Sequence, residues 1–305
     1  MFASIPQDGL TAQGQLLDRH PAAFGWLESS THLLDRPAAL QARMQSDGYL
    51  YLPGLLAADT VQQVRAEICT QLAAEGLLEP GYPTIAAVAK PETRLHFRPD
   101  LVAASPTLRS LLYAGNMLDF YRRFLDSEVL HFDYTWFRAV APGLGTPPHC
   151  DCVYMGRGTP NLYTSWTPIG DVSLEMGGLL ILEHSHRLAA IRNGYAQRDV
   201  DSFCADRINS HLYASGQRHW SGVLTRNPVS LQRRYGGRWL TANFQAGDVV
   251  IFSIFTVHAS LDNHSPQVRL SADSRYQRAD DPADDRWIGT NPIGHSPAVR
   301  RSRIC

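Results

Sequence analysis

His149 and Asp151 form a His-x-Asp pair, His258 stands far downstream in a Val-His-Ala-Ser run, and Arg269 follows soon after it. Two imidazoles and one carboxylate on one face of a metal ion leave three coordination positions open. That is the ligand set of non-haem Fe(II) oxygenases. An arginine close by can grip a carboxylate through two parallel hydrogen bonds. The order of these parts predicts an oxygenase that uses Fe(II) together with 2-oxoglutarate.

A His-x-Asp pair is weak by itself, and the chain has a second one, His131-Phe-Asp133. Context separates them. His149 ends the turn-rich lead Pro142-Gly-Leu-Gly-Thr-Pro-Pro-His149, which could open a pocket rim. His131 sits inside an aromatic strand, where a buried, hydrogen-bonded histidine is the ordinary case. If residues 149–152 are extended, His149 and Asp151 point one way and Cys150 and Cys152 the other. A zinc site of His149, Cys150 and Cys152 stays open as an alternative, because thiolate and imidazole suit zinc. No second Cys/His cluster of zinc spacing accompanies it. His258 ends the apolar run Gly247-Asp-Val-Val-Ile-Phe-Ser-Ile-Phe-Thr-Val and alone would read as a core histidine. On a strand, Arg269, Ser271, Asp273 and Arg275 share one face. A buried arginine needs an anion, either a cosubstrate carboxylate or Asp273.

The elements that must position these residues fall into two zones. Helices are predicted at 37–46, from Asp59 to about Glu75, and at about 106–113 and 116–126. Asp59-Thr-Val-Gln62 resembles a capping box, and Val61, Val64, Ile68 and Leu72 recur at helical spacing. Tyr49-Leu-Tyr-Leu-Pro reads as a short strand. From Val129 the texture changes to strands: 129–140, 161–168, 178–183, 239–244, 248–253 and 268–276. Gly170-Asp171, Gly177-Gly178 and Gly247-Asp248 mark turns between several of them. Many short strands after a helical start predict a mainly β fold, a double-sheet jelly roll braced by helices. Residues 1–35 read as a loosely packed N-terminal arm, 36–277 as a single domain with a partly helical insertion at about 187–236, and 278–305 as an irregular C-terminal tail.

The chain has 305 residues, 44% of them apolar, enough for a sizeable core. Its formal net charge is −1, so no basic field points to nucleic acid or to an anionic membrane. Lys90 is the only lysine, the mark of a GC-rich genome. The N-terminus has no basic-then-apolar signal pattern, and no stretch is apolar enough to span a bilayer. The expected location is cytoplasmic. Five cysteines, Cys69, Cys150, Cys152, Cys204 and Cys305, are sparse and odd in number. That argues for free thiols.

His149-Cys-Asp151, Trp166, the Glu175-Met-Gly-Gly-Leu-Leu-Ile-Leu-Glu-His-Ser-His186 run, Gly247-Asp248, His258-Ala-Ser260 and Arg269 together resemble the phytanoyl-CoA dioxygenase (PhyH) family. The resemblance covers about residues 35–277 and is firmest over 145–277. It implies a double-stranded β-helix, a cupin-like jelly roll with flanking helices. It implies Fe(II) held by His149, Asp151 and His258, with 2-oxoglutarate and O2 as cosubstrates. It implies that Arg269, helped by Ser260, receives the C5 carboxylate of 2-oxoglutarate, and that Trp166 stands near the cosubstrate. The run departs from the family pattern at Glu183-His184, where Pro-Gly is usual, a change that touches the local turn and not the metal site. His186 reads as structural. Halogenases of the family lack the metal carboxylate; Asp151 is present, so oxygenation is expected.

The implied reaction is hydroxylation of an aliphatic C–H of a small molecule, with release of succinate and CO2. His96 and Arg98, on a loop before the strands, and Trp136, Tyr154 and Arg157, near the metal pair, are candidates to line the substrate pocket. The two arginines hint at an anionic substrate. A monomer or weak homo-oligomer is expected. Two other classes remain: a zinc- or other metal-dependent lyase, isomerase or hydrolase on a similar barrel, and a non-catalytic binding module.

Overall fold

The computed structural model describes residues 9–201, 212 and 220–295. In chain order its strands are β1 Thr11–Ala12, β2 Gln15–Leu16, β3 Phe24–Trp26, β4 Tyr49–Leu52, β5 Val129–His131, β6 Trp136–Val140, β7 Tyr163–Pro168, β8 Leu179–Leu182, β9 Trp239–Thr241, β10 Val249–Ser253, β11 His258–Ser260 and β12 Arg269–Arg278. Its helices are α1 Pro37–Asp47, α2 Ala58–Ala74, α3 Asp100–Ala103, α4 Pro106–Tyr113, α5 Gly115–Leu125, α6 Cys152–Met155, α7 Ala189–Arg192 and α8 Pro228–Tyr235.

Apart from the β1–β2 hairpin, the strands form two facing sheets rather than a closed barrel. The major sheet runs β4-β10-β7-β12-β5, with β6 also paired to β12, and the minor sheet runs β11-β8-β9-β3. Strand alternation assigns each residue to a layer. On β12, Leu270, Ala272 and Tyr276 face outward and join Val61, Val64, Ile68, Phe120, Tyr121 and Phe124 of the helices in one apolar cluster. Between the sheets, Trp166, Val250 and Phe252 meet Leu179, Ile181, Leu240 and Phe244. Both faces of the major sheet are therefore covered, which is why nearly every residue of β7, β10 and β12 is buried. The predicted jelly roll is the observed architecture.

The helices form where local chemistry asks for them. Ser105 caps α4, its Oγ accepting from the amide of Leu108 at 3.1 Å, and Pro106 takes the first turn where no amide is needed. Helix α1 ends at Gly48, whose φ of 78° suits glycine. The expected capping box at Asp59 is not used: α2 starts at Ala58 with no side-chain cap. Asp59 still lies in the first turn, where its charge complements the helix dipole. The single long strand expected over 129–140 is broken between β5 and β6. The Phe132 amide still meets Arg275 O in the β5 register, but Asp133 N turns to Trp287 O, and β6 rejoins β12 with its register shifted by two residues.

Both termini are more integrated than expected. Residues 9–35 are not a loose arm: β3 pairs in parallel with β9, and Leu10, Ala12, Leu17 and Phe24 are buried. Asp262 fastens this segment. Its carboxylate accepts from Thr11 Oγ1 at 2.7 Å, Gln13 N at 2.9 Å, Gly14 N at 2.8 Å and Gly145 N at 2.7 Å. Past β12 the chain is irregular, as expected, but Trp287 is buried and Arg286 pairs with Asp201 and Asp284. Of the insertion at 187–236, the described parts carry α7 and α8; residues 202–211 and 213–219 lie outside the described residues.

Asp262→Ala leaves three backbone amides and a hydroxyl without their acceptor, at about 1.5–3 kcal/mol for each charge-assisted bond lost, partly recovered by water. The expected result in urea unfolding is a loss of at least about 3 kcal/mol. A loss comparable to an exposed-surface substitution would show that the N-terminal segment is not held this way.

Candidate metal centre

The two histidines are brought together by the backbone. His149 N donates to His258 O and His258 N to His149 O, both at 3.0 Å, so the 149 segment continues the minor sheet beyond β11. A two-way bridge places both side chains on one side, and the ring centroids lie 4.2 Å apart. Each ring is then oriented by its own lead-in. His149 Nδ1 donates to Pro147 O at 2.8 Å, and His258 Nδ1 to Thr256 O at 3.1 Å. With Nδ1 protonated, each Nε2 offers a lone pair to a metal.

Asp151 opens α6, so residues 149–152 are not extended as expected; its φ and ψ are helical. The carboxylate still converges. Oδ1 lies 3.8 Å from His149 Nε2 and 3.6 Å from His258 Nε2. Oδ2 is turned away and held by Thr164 Oγ1 at 2.5 Å and Arg275 Nη2 at 2.9 Å. One ligand atom from each of the three residues lies within 4.8 Å of the others. Small side-chain movements bring all three onto one ion. Burial works against ionisation of Asp151, but Arg275 and the two imidazoles outweigh it and hold the carboxyl well below its usual range. Burial also pushes the His149 imidazole down to about 3, with His258 as the next cause, and lowers His258. Neutral imidazoles and an ionised carboxylate are what a facial metal triad needs.

A second requirement is an anchor for the cosubstrate. A narrow cleft beside the triad is lined by Arg138, Thr146, Trp166, Ser260, Arg269 and Asp273, among others. Arg269 is 1% exposed. Its Nη1 donates to Ser271 at 3.0 Å, its Nε has no partner, and among the described residues no carboxylate lies within ion-pair distance of it. Burial and the neighbouring Arg138 push its pKa down to about 10. A guanidinium in that state fits a carboxylate ligand. Asp273, the alternative partner, lies with Arg138 instead, at 3.3 Å. Ser260 Oγ accepts from Thr146 N at 2.7 Å and keeps its own proton available. Gly145 makes this approach possible, since a Cβ there would fall on Leu261 O and Ser260 Oγ. Trp166 lines the cleft and also packs on Phe244, ring centroids 4.6 Å apart.

A wider cavity of about 280 Å³ opens over the triad, lined by Phe97, Trp136, Arg138, Tyr154, Met155 and Arg275, among others. Trp136 and Tyr154 are thus where the sequence suggested. His96 lines neither space and is exposed. Arg98 is not a pocket residue: it is spent on Glu75 and Asp100 at 2.8 and 2.5 Å. Arg157 likewise pairs with Asp199 at 2.8 Å. Arg138, Thr164, Phe97 and His295 were missed. Arg138 had a signal, because it follows Trp136 by two positions on β6 and so shares its face. The rival zinc set is not assembled. Cys150 and Cys152 are buried in an apolar cluster, and among the described residues the only grouping able to hold a metal is His149, Asp151 and His258. His131 lies outside it, its Nδ1 bonded to Phe132 O and its ring 4.4 Å from Tyr113. His186 is structural, bonded to Gln45 O. The Glu183-His184 departure is absorbed locally: His184 adopts a φ of 55°, the conformation glycine would take, and Glu183 pairs with Arg238.

Arg275→Leu leaves the Asp151 carboxylate buried without its cation, at about 3–5 kcal/mol for a pair broken on one side. A metal ion at Oδ1 would restore the compensation. The rise in melting temperature on adding Mn(II), a redox-stable stand-in, is therefore expected to be larger in Arg275→Leu than in wild type and absent in Asp151→Ala. An equal rise in all three would place the ion elsewhere.

The sequence profile of the Phytanoyl-CoA dioxygenase (PhyH) family matches residues 44–271. The chain is 26% identical over 264 residues to the 1-deoxypentalenic acid 11-beta-hydroxylase of Streptomyces exfoliatus, covering 82% of this chain and 84% of that one. Among solved structures it resembles the epimerase SnoN in complex with Fe3+, alpha ketoglutarate and nogalamycin RO, with a TM-score of 0.57, 21% identity, and 85% of this chain and 93% of that one covered. It also resembles EctD from S. alaskensis with 2-oxoglutarate and 5-hydroxyectoine, with a TM-score of 0.54, 20% identity, and 94% and 93% covered. These structures share the fold. Among the described residues no helix is long and apolar enough to cross a membrane. The chain belongs to the phytanoyl-CoA dioxygenase (PhyH) family, whose members use Fe(II), 2-oxoglutarate and O2.

Proposed function

We propose that this enzyme hydroxylates an unactivated aliphatic C–H of a small, largely apolar molecule. In this reading His149 Nε2, His258 Nε2 and Asp151 Oδ1 hold the iron, and Thr164 and Arg275 keep Oδ2 away from it. The ligation is then one atom per residue, and three positions stay open. Bound Fe(II) and 2-oxoglutarate supply O2-dependent oxidation of a C–H bond, with release of succinate and CO2. Arg269 receives the distal carboxylate of the cosubstrate, the Ser260 hydroxyl donates to it, and Trp166 forms one wall. Phe97, Trp136, Tyr154 and Met155 keep water from the metal and orient the substrate body. The observation that carries this reading is the buried Arg269 guanidinium beside the triad with no carboxylate of its own.

The hydroxylase named above acts, by its name, on a carboxylic acid, and the aromatic wall of Phe97, Trp136 and Tyr154 suits a molecule with a hydrocarbon body. Residues 36–277 form the catalytic domain in this reading, with the flanking segments closing its walls. The buried free thiols of Cys69, Cys150 and Cys152 favour the cytoplasm, where iron also stays ferrous. We expect a monomer or weak homo-oligomer.

The test is an anaerobic titration of the metal-free protein with Fe(II) and 2-oxoglutarate, watched for the visible charge-transfer band of the chelate. Wild type and His131→Ala should show it. Asp151→Ala should lose or alter it, and Arg269→Ala should need on the order of a hundredfold more 2-oxoglutarate, as expected for a lost bidentate charged contact. A folded wild type without the band would sink the oxygenase reading and turn attention to zinc.

A further inference from the structure

The cavity walls carry an unmatched charge. Arg138, Arg269 and Arg275 line the two connected spaces, against only two carboxylates, Asp151 and Asp273. His295, at the outer edge, has its own acid, Asp201, at 2.6 Å. In the loaded enzyme the ferrous ion adds two positive charges and the 2-oxoglutarate dianion removes two. One positive charge is left over on guanidinium groups largely withdrawn from water, Arg138 being the most exposed of them with 18% of its side chain accessible, and such a charge favours an anionic partner.

The position of that charge follows from the partners of each arginine. Arg269 is taken by the cosubstrate in the reading above. Arg275 is committed to Asp151 and lies over the Trp136 ring at 3.9 Å. Arg138 remains. Its Nε meets Asp273 at 3.3 Å, long for a charge-assisted bond, and neither Nη has an acceptor among the described residues. It lines both the narrow cleft and the wider cavity, between the metal and the aromatic wall.

We propose that the substrate is a free monocarboxylic acid, its carboxylate received by the two Nη groups of Arg138 while its hydrocarbon body lies against Phe97, Trp136, Tyr154 and Met155. The inference rests on the Fe(II) and 2-oxoglutarate reading of the site. A coenzyme A thioester does not fit it, because the acyl carboxylate is then masked and several phosphate charges enter a cavity with one spare cation.

The test compares cyclohexanecarboxylate with cyclohexanecarboxamide, equal in shape and different by one charge. Binding is read by anaerobic calorimetry on protein loaded with Fe(II) and saturating 2-oxoglutarate. Wild type should prefer the carboxylate by at least about tenfold. Arg138→Gln should erase the preference, Arg138→Lys should keep part of it, and both should hold 2-oxoglutarate within about threefold of wild type by the charge-transfer titration. No binding of the carboxylate, no preference, or a preference surviving Arg138→Gln would overturn the proposal. So would a 2-oxoglutarate defect in Arg138→Gln matching that of Arg269→Ala, which would put the cosubstrate's own carboxylate on Arg138. The two readings fail separately. A missing charge-transfer band with the Arg138-dependent preference intact removes the oxygenase and leaves the anion site.

Discussion

A carboxylate buried between two imidazoles and facing a metal position must have its other oxygen satisfied, and that requirement shapes this protein. Asp151 is 2% exposed. Its Oδ2 is satisfied by Thr164 on β7 and Arg275 on β12, both strands of the major sheet. Its Oδ1 faces His149 and His258, which belong to the minor sheet and its continuation. The site is therefore made where the two sheets face each other, and their relative position sets its geometry. Buried ion pairs often contribute little net stability against apolar replacements. The contribution of Arg275 is geometric: with Oδ2 occupied, one oxygen is presented to the ion.

Three guanidiniums stand within one site and do different work because their surroundings differ. Arg275 is matched by a carboxylate and stacked on an indole. Arg269 is fully enclosed, with Ser271 its one hydrogen-bond partner among the described residues. Arg138 is half-matched and faces both spaces. The gradient runs from a neutralised cation at the metal to an unmatched one at the far end of the cleft. A doubly charged cosubstrate reaching from metal to cleft end complements that arrangement.

Much of the scaffold was legible because its causes are local. Helix α4 lies where Pro106 follows a capping serine, and β12 alternates apolar and charged residues as a strand with one helix-covered face must. The triad was legible because its members carry metal-binding chemistry in a recognisable order. Arg157 was misread because its partner Asp199 is 42 residues away; Arg98 has one distant partner, Glu75, 23 residues away, but the other, Asp100, lies two positions on and was a local signal passed over. The break in the long strand was hidden because Trp287, far along the chain, captures the Asp133 amide. The supposed arm looked mixed because what holds it, Asp262, is 251 residues from Thr11.

Residue types and their order determined the class of chemistry: two imidazoles, one carboxylate and a strand-borne arginine, on a chain patterned for two sheets and a helical layer. The tertiary structure alone decided which cations remain free. Whether an arginine is a structural brace, a prop for a metal ligand or a receptor for an anion depends on which acid the fold places within about 3 Å of it. That distance is set by sheet register and layer packing, not by neighbours in the chain.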